Sequence, residues 1–363
     1  MATTVSQPTL KTAPTLHVPR LGLHPAALAL LVGLLLVVFL VALAVGSVSI
    51  PLDEIVTVLL GGEASREAWT NIILKFRLPK ALTALLAGAA LSVGGLLMQT
   101  LFRNPLADPF VLGIHSGASL GVALVVLAAG TVGGVLIAGI GLVGDLSIVV
   151  AASLGAALVM LIVLAVARQV RSSVTLLIVG LMFGYLSSAI VSLLLYTSLP
   201  ERIQTFVSWS FGSFGGVTWG QMPVFAPVVL VGLALSLVLS KTLNALLLGE
   251  GYARSMGVDV RRARALIVLC TALLAGAVTA FCGPISFIGI AVPHVCRGLF
   301  RTADHRTLLP AAMLVGATSA LLASMAADMP GSNLVLPLNA ITALVGAPIV
   351  MWMILRQREM LSV

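Results

Sequence analysis

The chain has 363 residues, of which 60% are hydrophobic and 9% charged, a composition too apolar for a water-soluble domain. Apolar runs of about 20 residues recur along nearly its whole length, which makes it an all-α polytopic membrane protein. A transmembrane β-barrel would need alternating runs of about ten residues instead, and none occurs. The net charge of +8 is accounted for by membrane topology and anionic lipid, without nucleic acid.

A polar leader over residues 1–24 precedes the first apolar run, 25–46. At about 22 residues the run exceeds a signal-peptide core, so it is read as a retained anchor. Nine further crossings are expected near 80–102, 111–130, 146–167, 173–197, 224–244, 264–282, 284–300, 308–328 and 338–355, about ten in all, with the eighth unusually short. With the amino terminus inside, 15 of the 20 Lys and Arg fall in cytoplasmic segments, and only Arg66, Lys75, Arg77, Lys80 and Arg202 fall outside. Both termini are therefore expected in the cytoplasm, with a permease domain over 25–356 and a short tail over 357–363.

Between the second and third crossings, Arg103-Asn104-Pro105-Leu106-Ala107-Asp108-Pro109 forms a tight corner. Asn104 suits a helix end and Pro105 forbids continuation, while Asp108 before Pro109 is an N-cap with proline at the first helical position. Gly113, Gly117 and Gly121 then recur every four residues, so one face of the third helix lacks side chains and a neighbour can approach closely. Arg171-Ser172-Ser173 lies on the same side as the corner, where a serine can cap the fifth helix. The external segment 201–220 carries Phe206, Trp209, Phe211, Phe214 and Trp219, which suits an interfacial belt and packing before a ligand platform.

The longest cytoplasmic segment, residues 244–264, is expected to hold two short helices. Glu250 lies near the start of one, Gly257 stops it, and Asp259 caps the next, ahead of Arg261, Arg262 and Arg264. Its alternatives are a compact docking knob or a solvated basic loop that obeys topology.

Several chemistries are missing. No G-x-x-x-x-G-K-[ST] loop is present, so the chain has no P-loop ATP site of its own. The five histidines are scattered without metal-ligand spacing, and His294 after Pro293 suits a histidine satisfied within or near the end of the bundle. Cys270, Cys282 and Cys296 read as small hydrophobes. Every Asp, Glu, Lys and Arg lies at or near a predicted helix end, which suits a conduit driven by an external motor better than an ion-coupled carrier with midplane charges. No cofactor is expected.

The order Arg77-Leu78-Pro79-Lys80, Gly94-Gly95, Gln99, Phe102 to Pro109, Leu112-Gly113 and Ser116-Gly117-Ala118 resembles the FecCD family of ABC importer permeases. The likeness continues through Leu248-Gly249-Glu250, Ala253, Gly257, Gly283 to Gly289, Val292-Pro293-His294, Asp304-His305-Arg306 and Thr342 to Pro348, and it covers residues 70–355. It implies a type II ABC importer permease-like fold and a multi-pass protein of the inner membrane. The implied cargo is an iron-siderophore first, with haem or cobalamin behind.

The implied partners are an ATP-binding cassette ATPase subunit that binds the ATP, a periplasmic or lipid-anchored substrate-binding protein, and a second copy or a paralogue of the chain. The resemblance makes Asn104, Leu106, Ser172 and Ser173 cytoplasmic gate candidates, although the serines could equally be structural caps. It makes Gly249, Glu250, Ala253 and Gly257 the ATPase-coupling positions, and Arg77 and Lys80 the docking cations for the binding protein, unless they only snorkel at the interface. A third basic position found in some relatives is Asp328 here. An ion-coupled secondary transporter is the alternative from another class.

Overall fold

The computed structural model describes residues 25–46, 48–128, 145–169, 173–329 and 335–361. Among them every regular element is helical. The first group is α1 (Pro25–Ala44), α2 (Leu52–Leu59), α3 (Glu67–Asn71), a π-helical turn (Ile72–Arg77), α4 (Leu78–Phe102), a 3-10 turn (Pro109–Leu112), α5 (Ile114–Val126), α6 (Asp145–Gln169) and α7 (Ser173–Tyr196). The second is α8 (Pro200–Ser210), α9 (Met222–Val238), α10 (Ser240–Leu247), α11 (Glu250–Ser255), α12 (Val260–Cys282), α13 (Ile288–Phe300), α14 (His305–Ala327) and α15 (Leu338–Leu361).

Six of the helical spans are long and apolar enough to cross a membrane, and α9 with α10, bent by 53°, makes a seventh. The remaining three expected crossings correspond to the shorter apolar helices α5, α13 and the first part of α15. Several boundaries move by a few residues, and two of the shifts have a clear local cause. The eighth crossing begins at Ile288 instead of residue 284, because Gly283 and Phe287 both take left-handed backbone and Pro284 offers no N–H to a helix. Hydropathy cannot separate such an apolar loop from an apolar helix. The seventh begins earlier, at Val260, because the Asp259 side chain accepts from the Arg262 N–H at 3.1 Å and starts the helix among arginines.

Helix α4 is the axis of the fold. Residues 87–101 are buried without a break, and the helix packs on α9, α12, α13 and α14. Lipid could also cover an apolar helix, so it is the burial of α4 on nearly every face that makes it the centre of the bundle, in contrast to α1, of which little is buried within the chain. Close approach is supplied by small residues: a Cβ at Gly88 would strike the Gly316 carbonyl, and one at Gly95 the Gly289 carbonyl. The glycines of α5 do the same work, with Gly117 and Gly121 set against Gly155 and Ala151 of α6, so the four-residue repeat is a packing seam. Ser92 Oγ adds a hydrogen bond to the Ala312 carbonyl at 2.6 Å, so even the polar atoms here serve helix contact. All three cysteines are buried and free, in keeping with their reading as small hydrophobes.

Candidate functional site

The corner is built from local backbone chemistry. Helix α4 ends at Phe102, and Arg103, with φ of 48°, makes the left-handed turn expected of Asn104. Asn104 instead closes an Asx turn, its Oδ1 accepting from the Leu106 N–H at 2.9 Å. Asp108 caps the 3-10 turn, accepting from the Phe110 N–H at 2.9 Å, with Pro109 in the first helical position as expected. The result leaves Leu106 42% exposed at the tip, with Asn104 exposed beside it. Asp108, outside the spanning helices, is buried at the base, and burial pushes its carboxyl up to about 6.

Long-range polar contacts pin the corner to neighbouring helices. The His294 ring lies 2.8 Å from the Pro105 carbonyl, so this histidine is satisfied within the fold. One turn before the corner, Gln99 Oε1 accepts from Arg297 at 2.6 Å. Thr100 Oγ1 lies 2.8 Å from His305 Nε2, and His305 Nδ1 lies 2.8 Å from Asn244 Oδ1, whose amide nitrogen donates to Asp304 at 2.6 Å. These contacts tie the ends of α4, α10, α13 and α14 into one polar layer.

The segment over residues 244–264 lies against this layer. Gly257, with φ of 83°, ends the short helix α11 as a left-handed stop, where a side chain would be strained. Glu250 accepts from Arg264 at 2.8 Å and pairs with Arg254 at 3.4 Å. Gly249 is buried, and the Arg103 guanidinium reaches within 3.4 Å of where its Cβ would stand. A cavity of about 340 Å³ between corner and segment is lined by Thr100, Arg103, Glu250, Gly251 and Arg264, among others.

The four coupling candidates therefore separate by position. Gly249 and Ala253 face inward, Glu250 is half-buried in the ion pair, and Gly257 is exposed. What the segment presents outward are three apolar side chains, Leu248 just past the end of α10 and Tyr252 and Met256 on and just past α11, exposed by 64%, 56% and 50%. Of the other gate candidates, Ser172 lies outside the described residues, and Ser173 opens α7 with a side chain that lies outside them too.

At the opposite end, Arg77 donates to the carbonyls of Leu43 at 2.6 Å, Ala44 at 2.9 Å and also Val48, and so caps the end of α1. Lys80 Nζ lies 2.5 Å from Asp328 Oδ1 and 2.6 Å from Oδ2. The aromatic segment is mainly packing: Phe206 and Phe214 are buried, and Trp219 Nε1 donates to the Leu74 carbonyl at 2.7 Å. Asn339 belongs to helix packing as well, accepting from the Ser286 N–H at 3.1 Å while its own N–H donates to the Phe211 carbonyl at 3.0 Å.

Among the described residues no group of His, Cys, Asp and Glu is arranged to hold a metal ion. The site is a set of helix ends, an exposed tip and exposed apolar side chains on the neighbouring segment.

Comparison with known proteins places this geometry. A sequence profile of the FecCD transport family matches residues 34–356. The hemin transport system permease protein HmuU of Yersinia pestis is 37% identical over 92% of this chain and 97% of its own length. The vitamin B12 import system permease protein BtuC of Klebsiella pneumoniae is 37% identical over 90% of this chain and 92% of its own. A solved structure described as an inward-facing, metal-chelate type ABC transporter superposes with a TM-score of 0.80 at 30% identity, covering 92% of this chain and all of the other. The chain belongs to the FecCD transport family of ABC transporter permeases.

Proposed function

We propose that the chain is the membrane subunit of an ABC importer for a metal chelate, working as two copies or a paralogous pair around one pathway in the inner membrane, with both termini in the cytoplasm. The cargo is an iron-siderophore or one of the metal-centred macrocycles named for its relatives, haem and vitamin B12. ATP is bound and hydrolysed by a separate subunit, since this chain has no P-loop, and a substrate-binding protein delivers the chelate to the face that carries Arg77 and Lys80.

The observation that carries this reading is the contact between corner and coupling segment: Arg103 against Gly249, with Glu250 paired to Arg264 across their shared cavity. A partner that grips Leu248, Tyr252 and Met256 moves a segment that already touches the corner. The buried polar layer of Gln99, Arg297, Thr100, His305 and Asn244 passes that displacement to four helix ends. Packed interfaces of this kind switch between discrete arrangements that differ by only a few kcal/mol, a gap within reach of a nucleotide-driven partner. Leu106 and Asn104, at the tip, are the side chains that open or close the pathway.

Cysteines placed singly at Asn104 and Leu106 test this in vesicles holding the full transporter. Their reaction with a water-soluble thiol reagent should change with nucleotide state. Accessibility that is the same with and without ATP would return the corner to a structural turn. Uptake that needs an ion gradient and no ATPase would instead establish the secondary-carrier alternative.

A further inference from the structure

A cavity of about 450 Å³ opens at the end of the bundle opposite the corner, between α8, the start of α6 and the end of α12. Gln204, Thr205, Ser208, Trp209, Ser213 and Gln221 supply its polar wall, while Ile148 and Phe281 face them across an apolar side. No Asp, Glu, Lys or Arg lines it among the described residues. On α8, positions 204, 205 and 208 fall on one helical face and all three side chains are exposed in the single chain, the Thr205 hydroxyl donating to the Glu201 carbonyl at 3.0 Å. Trp209 Nε1 is buried with no hydrogen-bond partner among the described residues. A buried indole N–H normally finds an acceptor, and leaving one unpaired costs about 1–3 kcal/mol.

These features describe a ligand. The unpaired indole asks for an acceptor, the Gln204 amide and Ser208 hydroxyl offer both donors and acceptors, and the apolar side takes a hydrocarbon edge. A carboxylate would find no cation here and would lose its hydration without replacement. A wholly apolar ligand would strip water from the exposed Gln204 and Ser208 side chains without replacing it. The volume lies at the small end of ligand pockets, about 300–1,000 Å³, and so suits an arm or edge of a bulky chelate.

We infer that this cavity is a subsite for the neutral, amide-bearing rim of a metal chelate, with a carbonyl oxygen of the rim accepting from Trp209 Nε1 after a small rotation of the ring. The inference rests on the importer reading and sharpens its cargo class. Hydroxamate siderophores and corrins carry amide groups on their periphery, whereas the haem periphery carries carboxylates.

The test titrates the full chain in lipid nanodiscs with three probes, ferrioxamine, cyanocobalamin and hemin, for wild type, Trp209→Phe and the double variant Gln204→Leu with Ser208→Ala. Phe keeps the ring packing and removes only the N–H, and the double variant alters exposed positions, so a folding defect in one does not silence the other. At least one amide-bearing probe should bind, about fivefold more weakly in each variant for the loss of about one hydrogen bond, with hemin unaffected. Equal affinity in all three proteins, or binding of hemin alone, would overturn the subsite. ATP-driven uptake of the same probes by the assembled transporter separates the two failures. Uptake of hemin alone keeps the importer and removes the amide-rim subsite, and uptake of any probe that persists without ATP hydrolysis removes the importer reading itself.

Discussion

Lys80 and Asp328, 248 positions apart in the chain, meet at 2.5 Å where the starts of α4 and the end of α14 come together. Both border a cavity of about 400 Å³ that also includes Arg77, whose guanidinium is engaged by the end of α1. The two cations proposed to meet a binding protein are thus already occupied within the chain, one by carbonyls and one by a carboxylate. An arriving carboxylate must compete with Asp328 for Lys80. Both side chains are about one quarter exposed and Lys80 reaches both carboxylate oxygens, so the internal pair competes directly with that arriving carboxylate. Asp328→Asn should free Lys80 and speed capture of an acidic binding-protein surface several-fold at low ionic strength, an effect that salt removes. Association rates measured across a salt series check this, and a rate identical to wild type at low salt would exclude Lys80 from the contact.

The Gly95 and Gly289 backbones touch where α4 crosses α13. A side chain at Gly95 cannot be absorbed by rotating a neighbour, since what it meets is main chain. Gly95→Val should destabilise the bundle by about 3 kcal/mol or more and lower the yield of folded protein. Gly298→Ala, also within α13 but in open space, should be neutral or stabilising by about 0.5–1 kcal/mol. Unfolding midpoints of the two variants in detergent make the comparison.

Arg264 is buried, its side chain 5% exposed, and Glu250 supplies a carboxylate at 2.8 Å. Losing the Glu250 carboxylate removes a charge-assisted hydrogen bond from a guanidinium held out of water, at a cost of about 1.5–3 kcal/mol. Glu250→Gln should therefore loosen α11 and uncouple ATP hydrolysis from uptake, while Glu250→Gln with Arg264→Met should restore much of the stability and less of the coupling. A double-mutant cycle on unfolding midpoints and on substrate-stimulated ATPase activity reads both. Additive losses in stability would show that the pair does not hold the segment.

Burial raises the Asp108 carboxyl to about 6. The folded protein then holds this proton more tightly than the unfolded chain does. Its contribution to stability is full below the ordinary carboxylate range and is lost as pH rises through about 6. Asp108→Asn keeps an oxygen to accept from the Phe110 N–H without the buried charge. At about pH 7 the variant should be more stable than wild type by on the order of 2 kcal/mol, and the difference should vanish towards about pH 4. Unfolding midpoints across that range decide it, and a gain independent of pH would place the effect elsewhere than in titration.

Much of the site was legible because its chemistry is local. Asp259 as a cap, Gly257 as a stop and Asp108 before Pro109 each act within a few residues, and the structure realises all three. Arg103 in place of Asn104 at the left-handed turn was not legible, since Asn104 was equally suited to that position until its side chain was seen closing the following turn. The buried state of Ala253 and Gly249 was hidden for a different reason: a motif match names positions without saying which way they face.

The sequence by itself determined that the chain is an all-helical, multi-pass membrane protein and where most of its apolar helices lie, because hydropathy, capping and the cost of burying charge are properties of single segments. Only the tertiary structure decided that Lys80 would be held by Asp328, that Gln99, Arg297, Thr100, His305 and Asn244 would join four helix ends, and that the coupling segment would lie against the corner. Those pairings depend on how closely helices approach around α4. That approach is set by backbone contacts between residues some 200 positions apart, such as Gly95 and Gly289, which no local pattern encodes.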